Sequence, residues 1–320
     1  MAEYGWSLSE STLAKAQLEL NEAPAHRKAA IDAVRELIPT RPDVEYLRTD
    51  DAFILRFLRA RKFDVTATFK LYTQYFVYRQ RNNKLFLGFQ ASEGDIKQAL
   101  LDGFPGVLPQ PDQHGRRVLV LFTANWDHLR YGLVSIYRAL LLSLEKLLED
   151  EETQVNGLVI IVDWTEFSFK QSSHLNPKLL KLIIEGLQDC FPARFSAIHL
   201  INQPWYVEAA FTVLKPFLKD KTRGKVVMHG NNLTTLHAHL SREMLPAELG
   251  GSLPPYNNHY WAKQLLGDFS FSDRHIFWPQ EPCSNSSPLR ALRQPESCAK
   301  RFQRGRPSMT QLDESFFLSD

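Results

Sequence analysis

Apolar positions recur at helical spacing through roughly the first hundred residues and then give way to short, nearly uninterrupted apolar runs. Ser11–Leu20 and Arg27–Ile38 each predict an amphipathic helix, and Pro39 with Pro42 ends the second. The segment from Thr49 to Asp64 carries the clearest signal. Thr49 is placed to cap a helix, Asp50 and Asp51 fall in its first turn, and Arg59, Arg61 and Lys62 fall near its end, each charge on the side the helix dipole favours. Val65–Arg81 continues as a helix with an aromatic stripe of Phe69, Tyr72, Tyr75, Phe76 and Tyr78. Residues 1–90 are therefore expected to form a small helical bundle.

From about Gly103 the pattern changes. Val118–Phe122, Leu158–Val162, Ala197–Ile201 and Lys225–Met228 are rich in β-branched residues and apolar along most of their length, as strands covered on both faces are. Helical stretches at Leu133–Leu148, Lys178–Leu187 and Val207–Leu218 alternate with them, and Asn176-Pro177 opens the middle one as cap and first helical residue. Strand and helix in alternation predict an α/β domain with a mainly parallel sheet, over residues 91–262. Gly250-Gly251 and Pro254-Pro255 are expected to close it. Residues 263–320 shift to Ser, Pro and Arg, including the basic stretch Arg290–Arg306, and read as a disordered tail.

Composition narrows the function classes. Lys and Arg total 38 against 36 Asp and Glu, a formal charge of +2, so any anion site must be local and nucleic acid is not an expected partner. Cys190, Cys283 and Cys298 are too scattered for a disulfide framework or a zinc site, which fits a reducing compartment. Met1–Glu10 lacks the basic start and apolar core of a secretory leader, and no apolar run reaches the ~18 residues of a membrane span. A cytosolic protein, meeting membranes only at their surface, is the expectation.

Enzyme motifs are absent from the places where they would act. After the first long strand, where a dinucleotide fold sets its glycine turn, the chain reads Thr123-Ala124-Asn125-Trp126-Asp127-His128. There is no Walker sequence, zinc-protease helix or nucleophile elbow, and no cofactor or metal is expected. Asp163, at the end of a strand, is read as a loop buttress rather than a catalytic carboxylate, and His237 with His239 as capping or surface residues rather than ligands. Asn232-Leu233-Thr234 and Asn285-Ser286-Ser287 match the glycosylation triplet but mean little without a leader.

Two features stand above this background. One is an excess of apolar side chains: Phe167, Phe169, Ile183, Ile184, Leu187, Ile198, Leu200, Phe211, Val213, Leu214 and Phe217. Core is the ordinary explanation. The helix Val207–Leu218, almost without charge before Lys215, favours a lid over an apolar ligand or a membrane-dipping element. The other feature is the basic run Lys215, Lys219, Lys221, Arg223 and Lys225 directly after that helix, with Arg194 following Phe191-Pro192. Solvated charge is the ordinary explanation of such a run, but beside an apolar helix it suits an anionic membrane surface.

These blocks carry a resemblance to the CRAL-TRIO lipid-binding family. Asp50–Phe63 is similar to its N-terminal helical signature. Gln154–Gly157 leading to Asp163-Trp164, Phe191–Arg194, Ile198–Pro204, Lys215–Leu218 and His229–Leu233 resemble successive blocks of its lipid domain, over roughly Ser9 to Tyr256. Asn202–Tyr206 and Leu253–Tyr256 look most like the clavesin branch, with tocopherol transfer protein and cellular retinaldehyde-binding protein as relatives. The resemblance implies a lipid pocket under a gate helix, here Val207–Leu218, lined by Phe167, Phe169, Ile183, Leu187, Ile198, Leu200, Phe211 and Leu214. It implies a phosphoinositide headgroup site at Arg194, Lys221 and Lys225. A further basic position of the tocopherol protein falls on Ser196, and Arg223 is the expected substitute. The implied function is non-enzymatic: binding phosphatidylinositol bisphosphate and a buried hydrophobic ligand in endosomal membrane trafficking, on endosomal or trans-Golgi membranes. The alternatives are a retinoid or tocopherol carrier, and an adaptor whose tail recruits clathrin or an adaptor protein.

Overall fold

A computed structural model describes residues 7–267; of the tail expected over 263–320, residues 268–320, with Cys283, Cys298 and the Asn285 triplet, lie outside the described residues. The helical segment comprises α1 (Glu10–Leu20), α2 (Arg27–Glu36), α3 (Asp51–Ala60), α4 (Val65–Arg81), α5 (Asn83–Phe86) and α6 (Gly94–Leu101). Helix α3 is capped by Asp50, whose carboxylate accepts from the Phe53 amide, and not by Thr49. The residue directly before the first helical turn makes the bond. Asp64 caps α4 in the same way. Phe53 and Phe57 of α3 then meet Tyr72, Tyr75 and Phe76 of α4 largely edge to face, with ring centroids 5.2–6.2 Å apart.

Arginines bind this bundle to the rest of the chain. Arg59 is fully buried, paired with Glu22 and Glu151 at 2.8 Å and donating to Gln154. Arg56 and Arg79 converge on Glu145, which also accepts from the Tyr75 hydroxyl at 2.6 Å. Arg59 thus serves as a buried clamp rather than as the exposed dipole partner its place near a helix end suggests. A charge so buried is tolerated only because it is fully paired.

The sheet segment runs β1 (Gly106–Val107), β2 (Arg117–Phe122), α7 (Leu133–Leu147), α8 (Glu151–Asn156), β3 (Leu158–Asp163), α9 (Phe169–Ser172), α10 (Pro177–Asp189), β4 (Phe195–Ile201), α11 (Trp205–Leu214), α12 (Asp220–Arg223), β5 (Val226–Met228), α13 (Leu233–His237) and α14 (His259–Gly267). Among the described residues the strands form one five-stranded sheet in the order β1-β2-β3-β4-β5, parallel except for β1. Two residues with a glycine are too short for periodicity to reveal, so β1 has no counterpart in the sequence pattern. Helix α11 stops at Leu214, and Lys215-Pro216-Phe217 follow as a separate 3-10 turn instead of extending it to Leu218. Pro216 supplies no amide to continue the ladder.

Sequential strand order with right-handed crossovers puts the connecting helices on one face. On that face Leu119, Leu158 and Ile160 share a core with α7 and the bundle. The opposite face, carrying Val118, Val120, Val159, Ile161 and Ile201, is covered by Leu236, Leu240, Met244, Leu245 and Leu249. Helix α14 crosses the expected boundary at 262: Trp261, Ala262 and Leu265 are buried, and the Trp261 indole donates to Ser143 of α7 at 2.8 Å.

Candidate functional site

The helical face of the sheet is not filled evenly. Thirteen of the fifteen residues of α7 are buried, whereas in α10 only Leu179 and Gly186 are. At Gly186 helix α10 comes against the Tyr78–Tyr137 hydroxyl pair, where a Cβ would clash, while Ile184, Leu187 and Gln188 on either side border open space. A cavity of about 590 Å³ results. Its apolar walls are Ile160 of β3, Phe195 and Ile198 of β4, Ile184 and Leu187 of α10, and Leu218. The volume lies within the ~300–1,000 Å³ usual for small-molecule sites.

Cations ring the same cavity: Arg61 and Lys62 after α3, Arg194 before β4, and Lys219, Lys221 and Lys225 around α12. Burial, then the nearby charges of Lys221 and Arg194, push the Lys225 ammonium below the usual lysine range. Burial likewise lowers Arg61, against an opposing pull from Asp189. Arg194 is held by the Val155 carbonyl and by Glu19 of α1 at 3.4 Å, and Lys225 donates to the Phe195 carbonyl. Positive charge gathered in partial burial is the electrostatic form of an empty anion site.

Three of the four basic residues singled out from the sequence, Arg194, Lys221 and Lys225, thus meet at one place. Arg223 does not join them. Its guanidinium donates to the carbonyls of Leu218 at 3.1 Å and Lys215 at 3.4 Å and pairs with Asp220, bracing the turn after α11. The charge that Ser196 does not bring, itself a lining residue, comes instead from Arg61 and Lys62. Lys62 and Phe63 both adopt positive φ, 54° and 59°, where the chain turns out of α3.

The apolar candidates divide similarly. Leu187 and Ile198 line the cavity, Ile183 packs beside it half-buried, and Leu200 is buried in β4. Phe167 fills core, stacked on Trp126 at 6.2 Å, and Phe169 is 68% exposed, so neither faces the cavity. Phe211 and Leu214 are half-buried on α11 but do not line the cavity either, because its outer wall is the segment from Leu218 to Lys225. Of α11 only Val207 is buried; Trp205 is 74% exposed, and Val213 and Phe217 are exposed with it. An apolar rim of this kind next to cations suits a lipid surface.

The remaining candidates prove structural. Asp163 is buried, accepting from the Thr165 amide and hydroxyl and from the Asn202 side chain at 2.7–3.0 Å, and so buttresses the loop that leads into α11. His237 bonds the Leu249 carbonyl through Nε2 at 2.9 Å. His239 stacks near His199, ring centroids 5.3 Å apart, in a cluster where His199 Nδ1 meets His229 Nε2 at 2.9 Å. Burial first, then the neighbouring His229 and His239, lowers His199 to about 4. No group of three or more metal-ligating side chains occurs among the described residues, and no helix there is long and apolar enough to cross a membrane.

Comparison with known proteins agrees with this architecture. Residues 101–251 match the CRAL/TRIO domain and residues 21–74 the CRAL/TRIO N-terminal domain. The chain is 54% identical to clavesin-1 of Rattus norvegicus over 285 residues, covering 87% of this chain and 80% of the relative. It is 58% identical to clavesin-2 of Homo sapiens over 266 residues, covering 83% and 81%. The crystal structure of Sfh5 superposes with a TM-score of 0.50 over 82% of this chain and all of that one; at 15% identity this likeness concerns the fold alone.

Proposed function

The chain belongs to the CRAL-TRIO lipid-binding family, and on that premise we propose that it carries a hydrophobic ligand and docks on membranes bearing phosphatidylinositol bisphosphate, in endosomal trafficking. One observation carries the reading: apolar walls and a cluster of cations belong to one cavity, so a single hollow offers both a dry interior and an anion mouth. In this reading the helical segment, 1–90, is not a passive neighbour of the lipid domain, 91–262, because Arg61 and Lys62 come from it.

Binding energy is sufficient for a carrier. A ligand losing ~400 Å² of apolar surface gains about 10 kcal/mol gross at ~25 cal/mol/Å², before ordering costs. Entry requires the wall at Leu218–Lys225 and the lightly packed α11 to move aside, and cations in that wall give a membrane the means to favour the open form. An anchor preferring the open state by ~3 kcal/mol raises its share more than a hundredfold. Three or four cations at ~1 kcal/mol each supply that much. In this reading the arrangement performs binding.

The test is mass spectrometry of lipid extracted from the purified protein, alongside binding to vesicles with and without phosphatidylinositol bisphosphate. A co-purifying lipid and preferential binding are expected. A retinoid or tocopherol in the extract would make it a carrier of that ligand. An empty protein that still binds vesicles would make it an adaptor, for which clathrin is the partner to test.

A further inference from the structure

Beside the ring of cations stands an anion that the resemblance did not single out. Asp189, the last residue of α10, pairs with the Lys219 ammonium, and its charge also reaches the half-buried Arg61. This position is electrically poor for a carboxylate, since a helix C-terminus carries partial negative charge and α10 has no basic residue in its last turn. Its compensation comes from Lys219, which lines the cavity, while Asp189 itself lines the hollow beside it. The preceding residue fixes the geometry: the Gln188 side chain accepts from the Lys219 amide at 2.9 Å and donates to the Phe217 carbonyl at 3.2 Å, which ties the outer wall to α10.

Resting on the proposed function, we infer that Asp189 is a built-in counter-anion that sets which headgroups the cavity accepts. In the empty protein its carboxylate occupies Lys219 and offsets Arg61, so a ligand bringing one negative charge exchanges one ion pair for another and gains little. A headgroup with several phosphate charges engages the other cations as well and displaces the carboxylate with a net gain. The Lys219 side chain is 64% exposed, which keeps the internal pair weak enough to be exchanged. Discrimination by charge number thus arises from a competitor inside the protein, a difference of affinities rather than an added contact.

The full chain and its Asp189→Asn variant are compared by sedimentation with vesicles of phosphatidylcholine alone, with phosphatidylserine, and with phosphatidylinositol bisphosphate, at low salt. Asp220→Asn is the control, because Asp220 is 94% exposed and pairs with Arg223 outside the cavity while changing the net charge equally. Asp189→Asn should raise binding to phosphatidylserine vesicles about fivefold, the worth of one freed cation, and to bisphosphate vesicles less than about twofold. Its melting temperature should equal or exceed that of the parent, since the variant relieves the helix terminus. Asp189→Asn behaving like Asp220→Asn, or raising both lipids equally, overturns the inference alone. A parent protein that ignores the bisphosphate overturns the proposed function and this inference with it.

Discussion

Two halves of one sheet, built from similar residues, are put to opposite uses. Under α7, strands β2 and β3 are buried almost throughout, and nearly all of the helix is buried with them. Under α10, strand β4 and strand β5 are mostly half-buried although Ile184, Leu187 and Ile198 are no less apolar than their counterparts. Apolar character alone therefore does not separate packed core from cavity wall. What separates them is how fully the helix side chains fill the space over the sheet: α10 buries only Leu179 and Gly186, against thirteen residues of α7.

Mutation can break that comparison most directly. Leu144→Ala in α7, where the side chain is fully buried, should cost about 2–5 kcal/mol, whereas Leu187→Ala at the cavity should cost about 1. Denaturant unfolding measures both, and equal losses would mean that the cavity half is as tightly packed as the other. Acid probes the opposite face of β4. With His199 at about 4, below the ordinary histidine range, the unfolded chain binds the proton first; stability is complete above ~pH 6.5 and is lost as pH falls through about 4, by up to ~3 kcal/mol. Melting temperature against pH should show this slope, and His199→Gln should flatten it.

Smaller effects on folding sharpen the distinction. Lys221→Glu reverses one charge at the mouth and should weaken binding to bisphosphate vesicles by ~2 kcal/mol, about thirtyfold at low salt, with melting nearly unchanged. Salt titration of vesicle binding checks it, since an effect that persists at high ionic strength is not one of screened charges. Smallest in stability is Leu187→Trp, which fills cavity space: lipid recovered by extraction should fall while the unfolding free energy changes by less than about 1 kcal/mol. A variant retaining its lipid would place the ligand elsewhere.

The elements most legible in the sequence are those whose signal is local. Helix α4 has the expected limits, Val65–Arg81, because its aromatic stripe and its Asp64 cap are contiguous. The four parallel strands are recognisable because each is apolar over most of its length. Roles that depend on partners far along the chain are not legible. Arg59 reads as a surface charge until Glu22 and Glu151 close on it, 37 and 92 positions away. Arg61 and Lys62 read as the end of a helix until the fold sets them on the same cavity as Arg194. The basic run after α11 was visible as a cluster, but the inward or bracing direction of each side chain, Lys225 against Arg223, is decided by the turn they share.

The covering of the second sheet face by residues 233–249 bears on how the molecule is made. A ribosome emits the chain from its N-terminus at ~5–20 residues per second. The bundle and all five strands therefore emerge before Leu236, Leu240, Met244, Leu245 and Leu249 exist to shield Val118, Val120, Val159 and Ile161. For several seconds of synthesis a parallel sheet, slow to form in any case, presents a naked apolar side. Nascent chains of this protein should be clients of ribosome-associated chaperones until about residue 249 clears the exit tunnel.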